Sequence, residues 1–187
     1  MSSPGMVVKV GGSLFDLPDL GPRLRRWLDT RPTADVLLVP GGGRTADVVR
    51  YLDQCHRLGE ETAHWLALRA VSLNAHFLAA LLPGCRVIGD VPGGDGLRVL
   101  DAYDFVRADE GRSGSLPHTW HVTSDSVAAR AAVAARVPRL ILLKSINIPK
   151  GISWAEAARR GLVDPFFADA VSSTLSVEAV NFRDWQP

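Results

Sequence analysis

The chain has 187 residues, a length that suits one domain of roughly 100–200 residues with a sizeable buried core. Hydrophobic residues make up 47% and charged residues 22%, the balance of an ordinary globular protein, which argues against a disordered or fibrous chain. A formal net charge of +1, with no arginine–lysine run, gives no electrostatic case for nucleic acid or an acidic membrane, so neither is expected as a partner.

Residues 6–10 (MVVKV) read as a strand that breaks at Gly11-Gly12. From about Pro18 to Leu28, apolar residues at Leu20, Leu24, Trp27 and Leu28 have helical spacing. "DVLLVPGGG" is a continuous apolar run without alternation, which suits a strand covered on both faces of a parallel sheet. Residues 45–56 predict a helix capped by Thr45, and residues 60–82 a longer, more apolar one stopped by Pro83-Gly84. "CRVIGD" reads as a short strand and "PGGDG" as a turn; "LRVLDAYDFV" fits either one strand or a strand plus a short helix. The polar stretch 109–118 reads as a loop. In "WHVTSDSVAARAAVAARVPRLILLK" a short strand leads to a Ser/Asp cap, an alanine-rich helix and a buried strand. Ser153 and Glu156 have the spacing of a capping box, a short helix follows around 164–173, and "LSVEAVNF" closes as a strand. Strands alternating with helices predict a single three-layer α/β/α domain with a mainly parallel sheet over residues 1–187.

Only three of the 21 basic residues are lysines: Lys9, Lys144 and Lys150. In a chain that otherwise uses arginine, each position raises the question of whether a compact ammonium is needed, because lysine and arginine are not interchangeable at a tight phosphate site. Lys9 is either a strand residue whose tip escapes to solvent or a cation aimed at an anion. Cys55 and Cys85 have neither metal-ligand spacing nor a disulfide framework. No charged-then-apolar signal pattern opens the chain, and no apolar stretch reaches the ~18 residues of a bilayer span. A reduced, cytoplasmic setting is the expectation.

Two strands end in glycine turns, "KVGGS" and "VLLVPGGG", at the carboxyl edge where open α/β sheets bind ligands. Glycine lets the backbone approach a ligand, and successive N–H groups hold anions. The patterns G-x-x-x-x-G-K-[ST] and G-x-G-x-x-G are absent, which removes the support for a Walker A loop or a dinucleotide oxidoreductase. "TSDS", Thr123 to Ser126, reads by itself first as a helix cap, and compatibly with that it could place Asp125 at the mouth of the sheet beside Lys9, orienting the lysine or a bound metal. His118 and His121 have H-x-x-H spacing but no third ligand, so no metal site is expected. Trp27, Trp65 and Trp154 sit at helical positions suited to packing.

Taken in order, Lys9, Gly11, Gly12 and Ser13, then Gly41, Gly42 and Gly43, then Thr123, Ser124, Asp125 and Ala128 form a pattern similar to that of the amino acid kinase family. That family includes acetylglutamate, aspartate, uridylate and isopentenyl phosphate kinases, and the resemblance spans roughly residues 6–145. It implies a homodimer, built through the 60–82 helix region, that transfers a phosphoryl group from ATP, accompanied by Mg²⁺, to a carboxylate or phosphate oxygen. It also implies no covalent enzyme intermediate. Lys9 would contact the transferred group, Gly11, Gly12 and Gly43 would supply N–H donors with Ser13 and Ser124 nearby, and Asp125 would orient the lysines. "PGGGRTADVVR" followed by "AHWLAL" resembles a small archaeal-type subgroup that includes the aminomethylfuran phosphate kinase of methanofuran synthesis. This implies that Gly41, Gly42, Asp47, Arg50 and His64 face the acceptor; the residues alone leave Arg50 open as a solvated side chain and His64 as a core histidine.

The resemblance breaks at "LLKSINIPKG", where the family carries a "TDVDG"-like loop that helps seat the nucleotide. Lys144 stands for the threonine, Ser145 and Asn147 for acidic residues and Ile148 for the glycine, and the nucleotide-side half is shortened. Two expectations follow. Lys144 or Lys150 supplies the second phosphate-binding cation from a changed loop, or the nucleotide site is eroded and the protein is a non-catalytic binder of a phosphorylated ligand.

Overall fold

The computed structural model describes residues 5–33, 35–91 and 96–186; most of the expected "PGGDG" turn lies outside them. Six parallel strands form one sheet in the order β3-β4-β2-β1-β5-β6: β1 (Met6–Val10), β2 (Val36–Pro40), β3 (Arg86–Ile88), β4 (Leu97–Leu100), β5 (Arg139–Lys144) and β6 (Ser176–Asn181). Every β1 and β2 residue is buried, as expected of strands covered on both faces. In register, Lys9 lies opposite Val39 on one side and Leu142 on the other.

Helices α1 (Leu20–Asp29), α2 (Gly43–His56), α3 (Glu60–Leu81), α4 (Ala102–Asp109), α5 (Ser124–Ala134), α6 (Trp154–Arg159) and α7 (Phe167–Ala170) complete the layers. Met6, Val8 and Val10 turn to a core shared with Leu20, Leu24 and Trp27 of α1. Val7 turns to the opposite core, where Ala128, Ala129, Ala131 and Ala132 let α5 lie close against the sheet. Strand alternation sends Lys9 to the Val7 side, the side that α5 covers. α3 serves both cores, with Leu68 and Val71 in one and Ala75 and Leu78 in the other. Trp27 is fully buried, so its truncation to alanine costs about 3–5 kcal/mol.

Three local expectations are corrected. Residues 120–122 form a turn rather than a strand, because β5 and β2 already occupy both edges of β1. Thr45 does not cap α2, which begins earlier at Gly43; its hydroxyl donates back to the Gly42 carbonyl at 2.5 Å. α5 is capped neither by its Ser nor by Asp125, since its N-cap residue is Thr123 and makes no side-chain cap bond. The 153–156 box is present in its main half, with the Glu156 N–H donating to Ser153 Oγ at 3.1 Å. Both cysteines are free thiols, and no described helix is long and apolar enough to cross a membrane.

Candidate functional site

The carboxyl ends of β1, β2 and β5 converge on a cavity of about 400 Å³. Its floor is made where the two glycine loops meet backbone to backbone. A Cβ at Gly12 would lie 2.1 Å from the Gly43 nitrogen, and one at Gly41 would lie 2.2 Å from the Gly12 nitrogen. Gly43 also has φ +51°, a left-handed conformation that disfavours any side chain. Contact between the loops therefore requires these glycines before any ligand does. Gly11 donates its N–H to the Leu143 carbonyl at 2.9 Å and so ties the first loop to the end of β5. Asn74 of α3 holds the second loop, with its amide 2.8 Å from the Gly41 and Gly42 carbonyls and from Thr45 Oγ1.

Above this floor sits a buried charge cluster. Lys9 Nζ lies 2.8 Å from Asp125 Oδ1, and Lys144 Nζ donates to Asp125 Oδ2 at 2.8 Å. The Lys9 contact is an ion pair without a well-directed hydrogen bond. Lys9 and Asp125 are 5% and 3% exposed, so water does little to screen them. Burial opposes the charge on Asp125, but the Lys9 and Lys144 ammoniums outweigh it and hold the carboxyl below its ordinary range. Burial, reinforced by the Lys9 charge, pulls Lys144 below its ordinary value against the attraction of Asp125. Two ammoniums share Asp125, while the second carboxylate of the cavity, Asp164, is taken up by the Thr123 and Ser126 hydroxyls and N–H groups, so the lysines keep donor capacity that suits an anion.

Asp164, from the segment after α6, lines the same cavity and is buried. Its Oδ2 accepts the Thr123 N–H at 3.1 Å, the Thr123 hydroxyl at 2.9 Å and the Ser126 N–H at 2.9 Å, and its Oδ1 accepts the Ser126 hydroxyl. It thus supplies the cap that Thr123 does not make for itself. Burial pushes the Asp164 carboxyl up, the Ser126 hydroxyl opposes this, and the Asp125 charge adds to the rise.

The other end of the cavity is aromatic and apolar. His64, Leu68 and Val71 reach it from one face of α3, Ala46 and Arg50 from α2, and Trp120 from the loop before α5. Trp120 is fixed by its indole N–H donating to Asp53 at 2.9 Å, and the Arg50 guanidinium lies 5.0 Å from its ring centroid. Arg50 also pairs with Asp47 at 2.8 Å, yet its side chain is 45% exposed, which leaves it free to turn to a ligand. His64 is 3% exposed, stacks on His118 at 5.1 Å, and has an Nε2 without a partner among the described residues. Burial, and then the nearby His118, draw His64 down to about 4, against a hydrogen bond at the Thr119 backbone, so its imidazole is neutral near pH 7.

Of the residues singled out in the sequence, Lys9, Gly12, Gly42, Gly43, Arg50, His64, Ser124, Asp125 and Lys144 line this one cavity. Gly11 and Gly41 stand behind it as structural contacts. Ser13 and Asp47 line a neighbouring groove of about 700 Å³ with Phe15, Leu73 and Phe77, and the Ser13 hydroxyl meets that of Ser145 at 2.8 Å. Lys150 is exposed and lies outside both linings. His118 is engaged with Glu61 at 3.2 Å and His121 is exposed; among the described residues no three His, Cys, Asp or Glu side chains group as metal ligands. Sequence reasoning passed over Asp164, Asn74 and Trp120. The only local signal for Asp164 was a carboxylate inside the otherwise apolar "GLVDPFF", the same kind of anomaly that marked Lys9.

No family model matches the chain. Over 155 residues it is 24% identical to [5-(aminomethyl)furan-3-yl]methyl phosphate kinase of Methanocaldococcus jannaschii, covering 75% of this chain and 66%, just under two thirds, of that relative. Among solved structures, the uridylate kinase of Archaeoglobus fulgidus matches with TM-score 0.63 at 16% identity, over 94% of this chain and 90% of the other. The UMP kinase of Ureaplasma parvum matches with TM-score 0.63 at 12% identity, over 97% and 91%. That of Bacillus anthracis matches with TM-score 0.61 at 12% identity, over 97% and 88%.

Proposed function

We propose, for a chain that has the amino acid kinase fold, that it is a small-molecule kinase whose transferred phosphoryl group is bound by Lys9 and Lys144 above the paired glycine loops. The observation that carries this reading is the single buried carboxylate, Asp125, shared by two ammoniums at the carboxyl edge of the sheet. Phosphoryl transfer asks a protein mainly for positioning and for charge stabilisation on the equatorial oxygens, and two ammoniums beside the glycine loops support that reading. The backbone around Gly12 and Gly43 adds N–H donors. An acceptor phosphate or carboxylate is already ionised near pH 7, so no general base is required, and the neutral His64 lies at the other end of the cavity. ATP, carried with Mg²⁺, supplies the phosphoryl group and departs as ADP. Asp125 and Asp164 are both engaged by protein donors, so Mg²⁺ would be held largely through the phosphates rather than by these carboxylates.

The aromatic end then holds the acceptor. Arg50 suits a bidentate grip on a phosphate, and Trp120, Leu68 and Val71 suit an unsaturated or apolar body. The name of the curated relative, a kinase of an aminomethylfuran methyl phosphate, matches that chemistry. It makes methanofuran-linked C1 cofactor synthesis the setting we infer, in the cytoplasm. Lys144 rather than Lys150 is assigned as the second cation, because it alone of the two reaches Asp125. We take residues 1–187 as one domain shortened in its nucleotide half, and homodimerisation as running through the exposed Leu66, Leu73 and Phe77 of α3. A second reading, a binder of a phosphorylated ligand without transfer, is favoured by the absence of any carboxylate in residues 145–150.

Release of ADP from ATP with [5-(aminomethyl)furan-3-yl]methyl phosphate, compared with UMP as acceptor, tests the assignment, alongside calorimetric titration with ATP. Turnover with either acceptor is the expected result. No ADP release and no ATP affinity, with retained affinity for the phosphate monoester, would replace the kinase by the binder.

A further inference from the structure

We propose that Asp164 is a positioning residue for the Lys9–Asp125–Lys144 cluster: by gripping α5 on both sides of Asp125 it sets where that carboxylate presents itself to the two lysines. The grip is direct. Thr123 precedes Asp125 by two residues and Ser126 follows it by one, and the Asp164 carboxylate accepts the N–H and the hydroxyl of each. With the backbone fixed at both flanking positions, the turn between them cannot rotate, and Asp125 keeps both oxygens on Lys9 and Lys144.

The N-cap residue itself does not do this. Thr123, the N-cap residue, spends its hydroxyl as a donor to Asp164 instead of accepting from the helix, so the first turn of α5 depends on a residue about 40 positions away. Asp164 is itself well held. It is buried, followed by Pro165, which favours an extended backbone at the residue before it, and its carbonyl accepts the Phe167 N–H at 3.1 Å. A negative charge at a helix start is also favoured by the helix dipole. The same charge acts on the cluster through space, since Asp164 helps Lys144 keep its proton. Among the described residues, the charged groups acting on Lys144 are Lys9 from β1, Asp125 from α5 and Asp164 from the segment after α6.

The chain has only three lysines, which gives a direct readout that does not need turnover. With lysine labelled at Cε and Nζ, the full chain shows three side-chain NMR signals, and the exposed Lys150 serves as an internal reference. Asp164→Ala is expected to shift the Lys9 and Lys144 signals and leave Lys150 in place. Asp164→Asn keeps an acceptor oxygen for the two N–H groups but loses the charge. It is expected to hold the Lys9 signal near its wild-type place while Lys144 titrates at lower pH. Ser126→Ala removes one bond of the grip and is expected to move the same two signals less, which serves if Asp164→Ala does not fold.

The turnover arm rests on the kinase reading: kcat falls about 10²-fold in Asp164→Ala with acceptor KM little changed, and Asp164→Asn recovers most of the loss. Lys9 and Lys144 signals unmoved in all three variants would overturn the positioning role and leave Asp164 a helix cap only. If no substrate turns over in the wild type, the kinase reading fails while the NMR outcome still decides the positioning role.

Discussion

The two ends of the cavity are built in opposite ways. At the charged end, Lys9 and Lys144 stand on neighbouring central strands, Asp125 on the first turn of a buried helix, and every group has a partner within about 3 Å. At the aromatic end, Arg50 and Asp47 form an exposed pair on α2, and a loop supplies Trp120. The first arrangement is over-determined by the sheet and has little room to adapt; the second can re-form around a ligand. Under the kinase reading proposed above, the rigid end would stabilise charge during transfer and the adjustable end would select the acceptor.

Replacing Lys9 by Met tests that division most severely. It keeps the packing of the stem and leaves Asp125 paired with Lys144, so the fold should persist by circular dichroism while kcat falls about 10³-fold. Retained turnover would remove the charged end from the chemistry. Lys144→Met should cost about 10²-fold in kcat, and a matching loss in Lys150→Met would show that the second cation had been placed on the wrong lysine. Arg50→Ala sharpens the contrast. An acceptor grip predicts KM raised about tenfold with kcat nearly kept, whereas a fall in kcat at constant KM would give Arg50 to the transfer itself.

The smallest effect concerns stability. His64 is held neutral by burial, with its folded value lowered from 6.5 to about 4. Stability from the neutral ring is fully present above 6.5 and is lost as pH falls through about 4, because the unfolded chain takes up the proton first. Urea unfolding at pH 7 and pH 4.5 should show a loss of about 2 kcal/mol that His64→Leu reduces; an equal loss in the variant would assign the titration elsewhere.

Most of the strand and helix order was legible because its causes are local. Apolar runs in "MVVKV" and "RLILLK", helical spacing in α1 and α3 and the glycine breaks each declare themselves within about ten residues. The failures were also local in form. Thr45 had the chemistry of a cap, but the Gly41–Gly43 loop packs so tightly on Gly12 that α2 starts two residues sooner. "WHV" had the composition of a strand but no free sheet edge beside β1.

By itself the sequence determined a parallel α/β sheet, two glycine loops at its carboxyl edge, and a lysine and an aspartate at positions that such a sheet brings to one edge. Tertiary structure decided which second lysine joins them, since Lys144 at the end of β5 reaches Asp125 while Lys150, six residues on, stays exposed. It also decided that the glycines serve loop-to-loop contact, that Asn74 holds the second loop, and that Asp164 caps the helix carrying Asp125. These are pairings between residues tens of positions apart, set by how layers close over the sheet, and no periodicity along the chain encodes such distances.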